Sequence, residues 1–179
     1  MNNRYGDWCQ TFLGKKVYPL DPREDEIEIV DIAHALSMMC RYNGHCLRFY
    51  SVAEHCCHVS DYIGRTQSEH ALWGLLHDAS EAYLADIIRP VKPWLEGYWG
   101  IENRLMECIC LRFGLPLIQP DIVKEIDTRI LGNERDQVMA PPPEPWYAVG
   151  EPLPGVRIWC WTPERARTEF LARFEVLTS

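Results

Sequence analysis

Apolar residues recur every three to four positions along most of this chain, which is the spacing of one face of an α-helix. Ser51, Ser68 and Thr162 stand at the starts of such runs as predicted N-caps, and Pro163 suits the first helical position. Glycines and prolines end most of the runs. The predicted helices cover residues 31–43, 51–63, 68–78, 94–113, 120–139 and 162–179. The pattern therefore predicts one all-α domain over residues 1–179.

Two segments depart from this helical pattern. Residues 1–27 form a predicted N-terminal arm, in which 11–20 is typical of a short β-hairpin with Gly14 at its turn or of an extended segment. The mostly acidic stretch 21–31 is predicted to be a solvent-exposed connector. Prolines in 140–161 exclude a regular helix or a central strand, so this segment is predicted to be a surface loop.

Composition limits the class of protein. The chain has 179 residues, 47% of them hydrophobic, and a net charge of −8, which suits one globular domain. The acidic balance argues against stable nucleic-acid binding, which needs a basic face. Without a membrane-length apolar run or a signal-peptide pattern, we expect a cytoplasmic protein that does not contact membranes. Its eight cysteines are then expected to be reduced and mostly buried.

Ionisable residues interrupt the apolar faces of three predicted helices. His55 lies between Val52 and Val59 at helical spacing, His77 and Asp78 follow an apolar run, and Asp127 shares a face with other apolar residues. A purely structural helix seldom carries such groups without a partner. Two imidazoles and two carboxylates suit one divalent transition metal, whether Co, Mn, Zn, Ni or Fe. The alternative is a set of buried polar groups that satisfy one another.

The order of these residues resembles a known family. His55, then His77-Asp78, then Asp127 on separate helices is similar to the H…HD…D arrangement of HD-domain metal-dependent phosphohydrolases. The resemblance is closest to small phage and prophage members of the 5′-deoxynucleotidase branch. It rests on the stretches TFLGKKVYPLDP, DIAHALS, SVAEH, LLHDASEAYLADIIRPVK and VKEIDTRILGNERD. It implies a single helical bundle in which those four residues bind the metal.

The resemblance also implies a catalytic residue, Glu81. Its spacing of four residues from His77 and three from Asp78 would place the three side chains on neighbouring faces of one helix. A carboxylate beside a metal-bound water can orient that water and move its proton. The alternative role for Glu81 is a capping or salt-bridging carboxylate.

Substrate contacts are implied at further positions. Arg41 would bind the phosphate, Tyr42 would pack against the sugar, and Asp86 would contact the sugar. Lys92 and Arg89 would add phosphate contacts. Each of these charged residues has the alternative of an ordinary surface or ion-pair role.

These expectations define the predicted function. The resemblance implies hydrolysis of deoxynucleoside 5′-monophosphates to deoxynucleoside and phosphate. One alternative is a deoxynucleoside triphosphate triphosphohydrolase, which would need more cationic groups; another is a non-catalytic nucleotide- or protein-binding module. The apolar face of 162–179 and the proline-rich loop also predict a homo-oligomer.

Overall fold

The computed structural model describes residues 4–147 and 149–179, and this part of the chain is mostly helical. Within it lie seven α-helices: α1 (Ile29–Met38), α2 (Val52–Gly64), α3 (Ala71–Leu76), α4 (Glu81–Leu84), α5 (Tyr98–Phe113), α6 (Asp121–Val138) and α7 (Pro163–Leu177). The prediction of an all-α fold is confirmed at this level. Among the described residues, no helix combines the length and apolar character needed to cross a membrane. Residues 1–3 of the predicted arm and residue 148 of the predicted loop lie outside the description.

The N-terminal arm contains a small antiparallel sheet. Strand β1 (Cys9–Gln10) pairs with β2 (Lys16–Val17), and Cys9 lies opposite Val17. The predicted hairpin is present, although its first strand lies just before residue 11. Gly14 adopts a φ of +76° in the connecting turn, a conformation that favours glycine. Val17 is fully buried in the main core and holds the arm against the helices.

Helix α2 is the centre of the fold and packs against α1, α3, α6 and α7. Small and β-branched side chains on several sides of it are fully buried: Val52, Ala53, Cys56, Cys57 and Val59. Such short side chains let neighbouring helices approach closely. All eight cysteines are free thiols, as predicted; four are buried and the other four are partly exposed, so the prediction that most are buried is right for only half of them. A side chain on α2 is therefore held in place by packing against four neighbouring helices.

The apolar face of α7 packs into the chain's own core. Ala166 and Phe170 are fully buried, and Phe174 and Leu177 pack against the same cluster. Helix α7 contacts α1, α2 and α3 through this face. The face that favoured a homo-oligomer in the sequence is thus covered within the subunit, and it no longer supports that prediction.

The predicted helix ends are partly right. Ser51 caps α2 by accepting a hydrogen bond from the Glu54 N–H at 3.1 Å, and Thr162 caps α7 in the same manner. The Ser68 prediction is wrong, because a 3₁₀ turn over Ser68–His70 precedes α3 and Ser68 makes no side-chain cap. Helix α5 begins at Tyr98 rather than near residue 94, directly after Gly97 with its φ of +77°.

The helix predicted to carry both His77 and Asp78 ends at Leu76. The His77 ring lies 2.8 Å from the Gly74 carbonyl, which would accept the Asp78 N–H in a continued helix. Residues 77–80 form a turn, and α4 then starts at Glu81. The prediction that His77, Asp78 and Glu81 share one helix is therefore wrong; a tight turn brings them together instead.

The proline-rich segment crosses the surface without regular structure, as predicted for 140–161, in all but the undescribed residue 148. Its end is fastened by the fully buried carboxylate of Glu54 on α2. This carboxylate accepts hydrogen bonds from the backbone N–H groups of Trp159, Cys160 and Trp161 at 2.7, 3.0 and 2.6 Å. Three donors on one carboxylate make Glu54 the anchor between the central helix and α7.

Glu54→Gln is expected to lower the free energy of unfolding by about 2–3 kcal/mol, because an amide offers one acceptor oxygen where three donors converge. Urea denaturation measures this change. The control is Glu107→Gln, whose side chain is exposed on α5 and whose effect should stay within about 0.5 kcal/mol of zero. Equal stability of the two variants would contradict the anchoring role.

Candidate metal centre

Four side chains meet where α2, α6 and the turn after α3 approach one another. His55 and His77 face each other with 3.2 Å between their Nε2 atoms. Asp78 Oδ2 lies 3.7 Å from His55 Nε2 and 3.3 Å from His77 Nε2. Asp127 Oδ1 lies 3.2 and 3.8 Å from the same two nitrogens. The structure therefore brings together the four residues selected as metal ligands from the sequence.

Hydrogen bonds at the far side of each ring orient the two imidazoles. His77 Nδ1 lies 2.8 Å from the Gly74 carbonyl, and His55 Nδ1 lies 2.7 Å from Glu134 Oε1. Because a carbonyl and a carboxylate only accept, these partners assign the proton to Nδ1 in both neutral rings. Both Nε2 lone pairs then face the same point, where they repel each other unless a cation or proton lies between them.

This donor set suits a divalent transition metal. The ligand atoms of His55, His77 and Asp78 lie within 4.8 Å of one another, so these three residues could hold one ion. Asp127 adds a second carboxylate beside both imidazoles. Metal-binding histidines characteristically donate their other N–H to a carbonyl or carboxylate, as both rings do here. His and carboxylate ligands accept several metals and leave the identity of the ion open.

The electrostatics of the cluster also favour a cation. Burial lowers the pKa of His77, yet the nearby charge of Asp78 and the contact with Asp127 outweigh it and raise the pKa well above the usual range. Burial would raise the pKa of Asp127, but its contacts with His55 and His77 hold it well below the usual range. The cluster thus retains its carboxylate charges and attracts positive charge.

Glu81 opens α4 directly after the turn and is buried. Its Oε2 atom has no hydrogen-bond partner among the described residues. Burial and the negative charges of Asp78 and Asp86 raise the pKa of this carboxyl well above its usual range. A raised pKa brings the carboxyl closer to the range in which it can both take up and give back a proton.

Arg41 and Tyr42 lie beside the metal ligands in the turn Arg41–Gly44. The buried guanidinium of Arg41 places Nη1 3.6 Å from Asp78 Oδ2. Tyr42 has a φ of +55°, which is rare outside glycine, and its ring packs 5.8 Å from that of Trp146. Arg41 thus places a cationic group against the cluster, and the neighbouring Tyr42 ring contacts a residue of the proline-rich segment.

Comparison with known proteins identifies relatives of the chain. It is 39% identical to Uncharacterized protein YfdR of Escherichia coli (strain K12) over 128 residues, which cover 72% of this chain and 70% of that protein. It is 36% identical to Uncharacterized protein RCAP_rcc00048 of Rhodobacter capsulatus over 186 aligned residues, 95% of each chain. This chain belongs to the family of YfdR and RCAP_rcc00048. No family model matches it.

The other three residues predicted to contact substrate in this member of the YfdR family are Asp86, Lys92 and Arg89, and their environments differ from one another. Asp86 is half-buried after Ala85, and burial raises its pKa. Lys92 Nζ pairs with Glu102 Oε1 at 2.6 Å, so its ammonium already has a carboxylate partner. Arg89 is mostly exposed and places Nη2 3.7 Å from Asp127 Oδ2. Arg89 is therefore the cation of this pair that contacts the metal-ligand cluster.

Sequence reasoning missed Glu134, which is fully buried behind His55. It lies seven residues after Asp127 on α6, a spacing of two helical turns that places both residues on one face. Burial would raise the pKa of Glu134, but the charges of Arg41 and His55 lower it to about 2. The spacing of seven residues from Asp127 was the sequence signal that could have found Glu134. It places a second carboxylate on the same helix face as a predicted ligand, and a buried carboxylate needs a polar partner there.

Gly74 lets α3 approach α2 closely beside Ser60 and Ile63. A Cβ atom there would lie 2.8 Å from Ile63 Cδ1 and 3.2 Å from the Ser60 Cα. Gly74→Ala is expected to cost about 1–3 kcal/mol of unfolding free energy by overpacking, measured by urea denaturation. It should also weaken Mn²⁺ binding in a titration, because the His77 ring is held by the Gly74 carbonyl.

The matched control for Gly74→Ala is Gly64→Ala at the end of α2. A Cβ atom at Gly64 would meet only Ala71 Cβ, at 3.7 Å, which is an ordinary contact. This change should be neutral or stabilising by up to about 1 kcal/mol, since alanine favours a helix over glycine. If Gly74→Ala behaves like Gly64→Ala, the close approach of α3 to α2 does not matter for the site.

Proposed function

We propose that the protein is a metal-dependent phosphohydrolase that converts deoxynucleoside 5′-monophosphates to deoxynucleosides and phosphate. The observation that carries this proposal is the convergence of three groups within one site. They are the cluster of His55, His77 and Asp78 with Asp127 beside both imidazoles, the buried carboxyl of Glu81 with its raised pKa, and the guanidinium of Arg41 beside Asp78. The resemblance of the H…HD…D order to HD-domain phosphohydrolases supports the same activity.

Different residues of the site bind the metal, bind the phosphate and transfer the proton. A divalent metal held by His55, His77, Asp78 and Asp127 would supply a Lewis acid for the phosphoryl group and a more acidic water. Arg41 binds phosphoryl oxygens. Its Nη1 atom lies 3.6 Å from Asp78 Oδ2, which places the guanidinium next to a phosphoryl group bound at the metal. Glu81 takes a proton from the attacking water and returns it to the 5′-oxygen as the phosphorus–oxygen bond breaks. The proton count balances, because water supplies one proton to each product.

Monophosphate substrates are favoured over triphosphates by the small number of cations at the site. Among the described residues, Arg41 and Arg89 are the Arg and Lys side chains with a nitrogen within 4.0 Å of a ligand carboxylate, and the partner of Lys92, Glu102, is not a ligand. A triphosphate would call for several further cationic groups beyond the first phosphate. A non-catalytic binding module would have no use for a buried carboxyl at Glu81 whose Oε2 atom has no hydrogen-bond partner among the described residues. We also propose that the protein acts in the cytoplasm, where its deoxynucleotide substrates occur.

A panel of deoxynucleoside and ribonucleoside mono- and triphosphates, each with Mn²⁺, Co²⁺ or Zn²⁺, tests the activity. We expect orthophosphate release from deoxynucleoside monophosphates that stops when EDTA removes the metal. Release of triphosphate from deoxynucleoside triphosphates alone would replace the monophosphatase proposal with the triphosphohydrolase alternative. Absence of turnover with every substrate and metal would overturn both.

A further inference from the structure

Glu134 is the hub of a buried network behind the metal centre. Its Oε1 atom lies 2.7 Å from His55 Nδ1 and accepts from the Tyr50 hydroxyl at 3.0 Å. Its Oε2 atom accepts from Arg41 Nη2 at 3.2 Å and Nε at 3.3 Å, and also from the Tyr42 hydroxyl. A carboxylate has about four acceptor positions, so these donors use its full capacity. Glu134 is therefore a fixed anion rather than a metal ligand or a proton carrier.

The two oxygens of Glu134 hold opposite sides of the site. Oε1 orients His55, whose Nε2 faces His77 in the metal cluster. Oε2 holds Arg41, whose Nη1 reaches towards Asp78 and the space beside it. A shift of this one carboxylate would move the metal side and the anion side together.

Glu134 also holds the backbone turn that presents Arg41. Tyr42 and Asn43 both have positive φ angles, of +55° and +50°, in this turn. Non-glycine residues keep such conformations only where surrounding contacts stabilise them. The Tyr42 hydroxyl supplies one such contact by donating to Glu134.

We propose that Glu134 is a positioning residue that couples the metal ligand His55 to the anion-binding Arg41, so that its loss weakens both metal and phosphate binding. The phosphate part of this inference rests on the proposed function. A merely structural role would instead lower stability without a selective effect on either ligand.

Glu54 supplies the matched comparison for that alternative. It is also a fully buried glutamate saturated by hydrogen-bond donors, and it lies one residue before His55. Its partners are three backbone N–H groups of the segment before α7 and the His58 ring at 3.4 Å, none of which belongs to the metal-ligand cluster. Glu54→Gln should therefore reduce stability and leave ligand binding nearly intact.

The experiment compares wild type, Glu134→Gln and Glu54→Gln by calorimetric titration, first with Mn²⁺ and then with inorganic phosphate at saturating Mn²⁺. Loss of an outer-shell partner typically weakens metal binding 10–100-fold, and we expect that range for Glu134→Gln. Phosphate affinity should fall at least about fivefold in the same variant, since Arg41 loses its charged partner. For Glu54→Gln, both affinities should stay within about twofold of wild type.

Unchanged Mn²⁺ or phosphate affinity in folded Glu134→Gln would overturn the coupling, as would equal losses in Glu54→Gln. If Glu134→Gln does not fold, Tyr42→Phe replaces it, because this change removes only a donor to Oε2. Phosphate affinity should then fall while Mn²⁺ affinity stays, and unchanged phosphate affinity would refute the proposal. These readouts need no turnover, so a wild type that binds both ligands but hydrolyses nothing refutes only the proposed function.

Discussion

Glu81→Gln is expected to reduce phosphate release from deoxynucleoside monophosphates by about 10²–10⁴-fold, the usual contribution of a general acid–base residue. Glutamine keeps the size of the side chain but cannot take or return a proton. Glu81 has no polar partner at Oε2 among the described residues, so the change removes little else. A coupled assay of orthophosphate measures the rate, and elemental analysis measures the bound metal.

The metal content of Glu81→Gln shows whether a lower rate comes from the missing carboxyl or from loss of the metal. Glu81 does not belong to the three-residue group whose ligand atoms lie within 4.8 Å of one another. The variant should therefore retain the metal of the wild type while its rate falls. Glu125→Gln, exposed on α6, serves as the control and should keep both rate and metal. Turnover at the wild-type rate in Glu81→Gln would remove Glu81 from the mechanism.

Local signals in the sequence were enough to find most of the helices and the residues of the metal cluster. Apolar spacing located α2 and α6, and the caps at Ser51 and Thr162 were correct because each acts within three residues of its partner. His55 and Asp127 were identifiable because each interrupts an apolar face. Patterns of this kind depend on neighbours along the chain, which the sequence displays directly.

Contacts between distant residues could not be read in this way. Lys92 is paired with Glu102, and Glu134 with Arg41 and Tyr50, by packing between separate segments of the chain. Tertiary contacts of this type override local preference.

Asp127→Ala is expected to weaken metal binding by at least about 10²-fold, since loss of even an outer-shell partner costs 10–100-fold. Asp127 is the only member of the four-residue cluster on α6, and its Oδ1 contacts both imidazoles. Removing it leaves His55 and His77 facing each other with Asp78 as their remaining carboxylate in the cluster. Elemental analysis after dialysis and a Mn²⁺ titration measure the loss.

Asp136→Ala provides the control for the loss of a carboxylate from α6. Asp136 lies nine residues after Asp127 and is exposed, where it pairs with Arg135. Both variants change the net charge from −8 to −7, so a general electrostatic effect on cation binding would appear in both. A selective loss in Asp127→Ala therefore reports a ligand position rather than the acidity of the protein. Full metal retention in Asp127→Ala would refute its assignment as a ligand and restrict the centre to His55, His77 and Asp78.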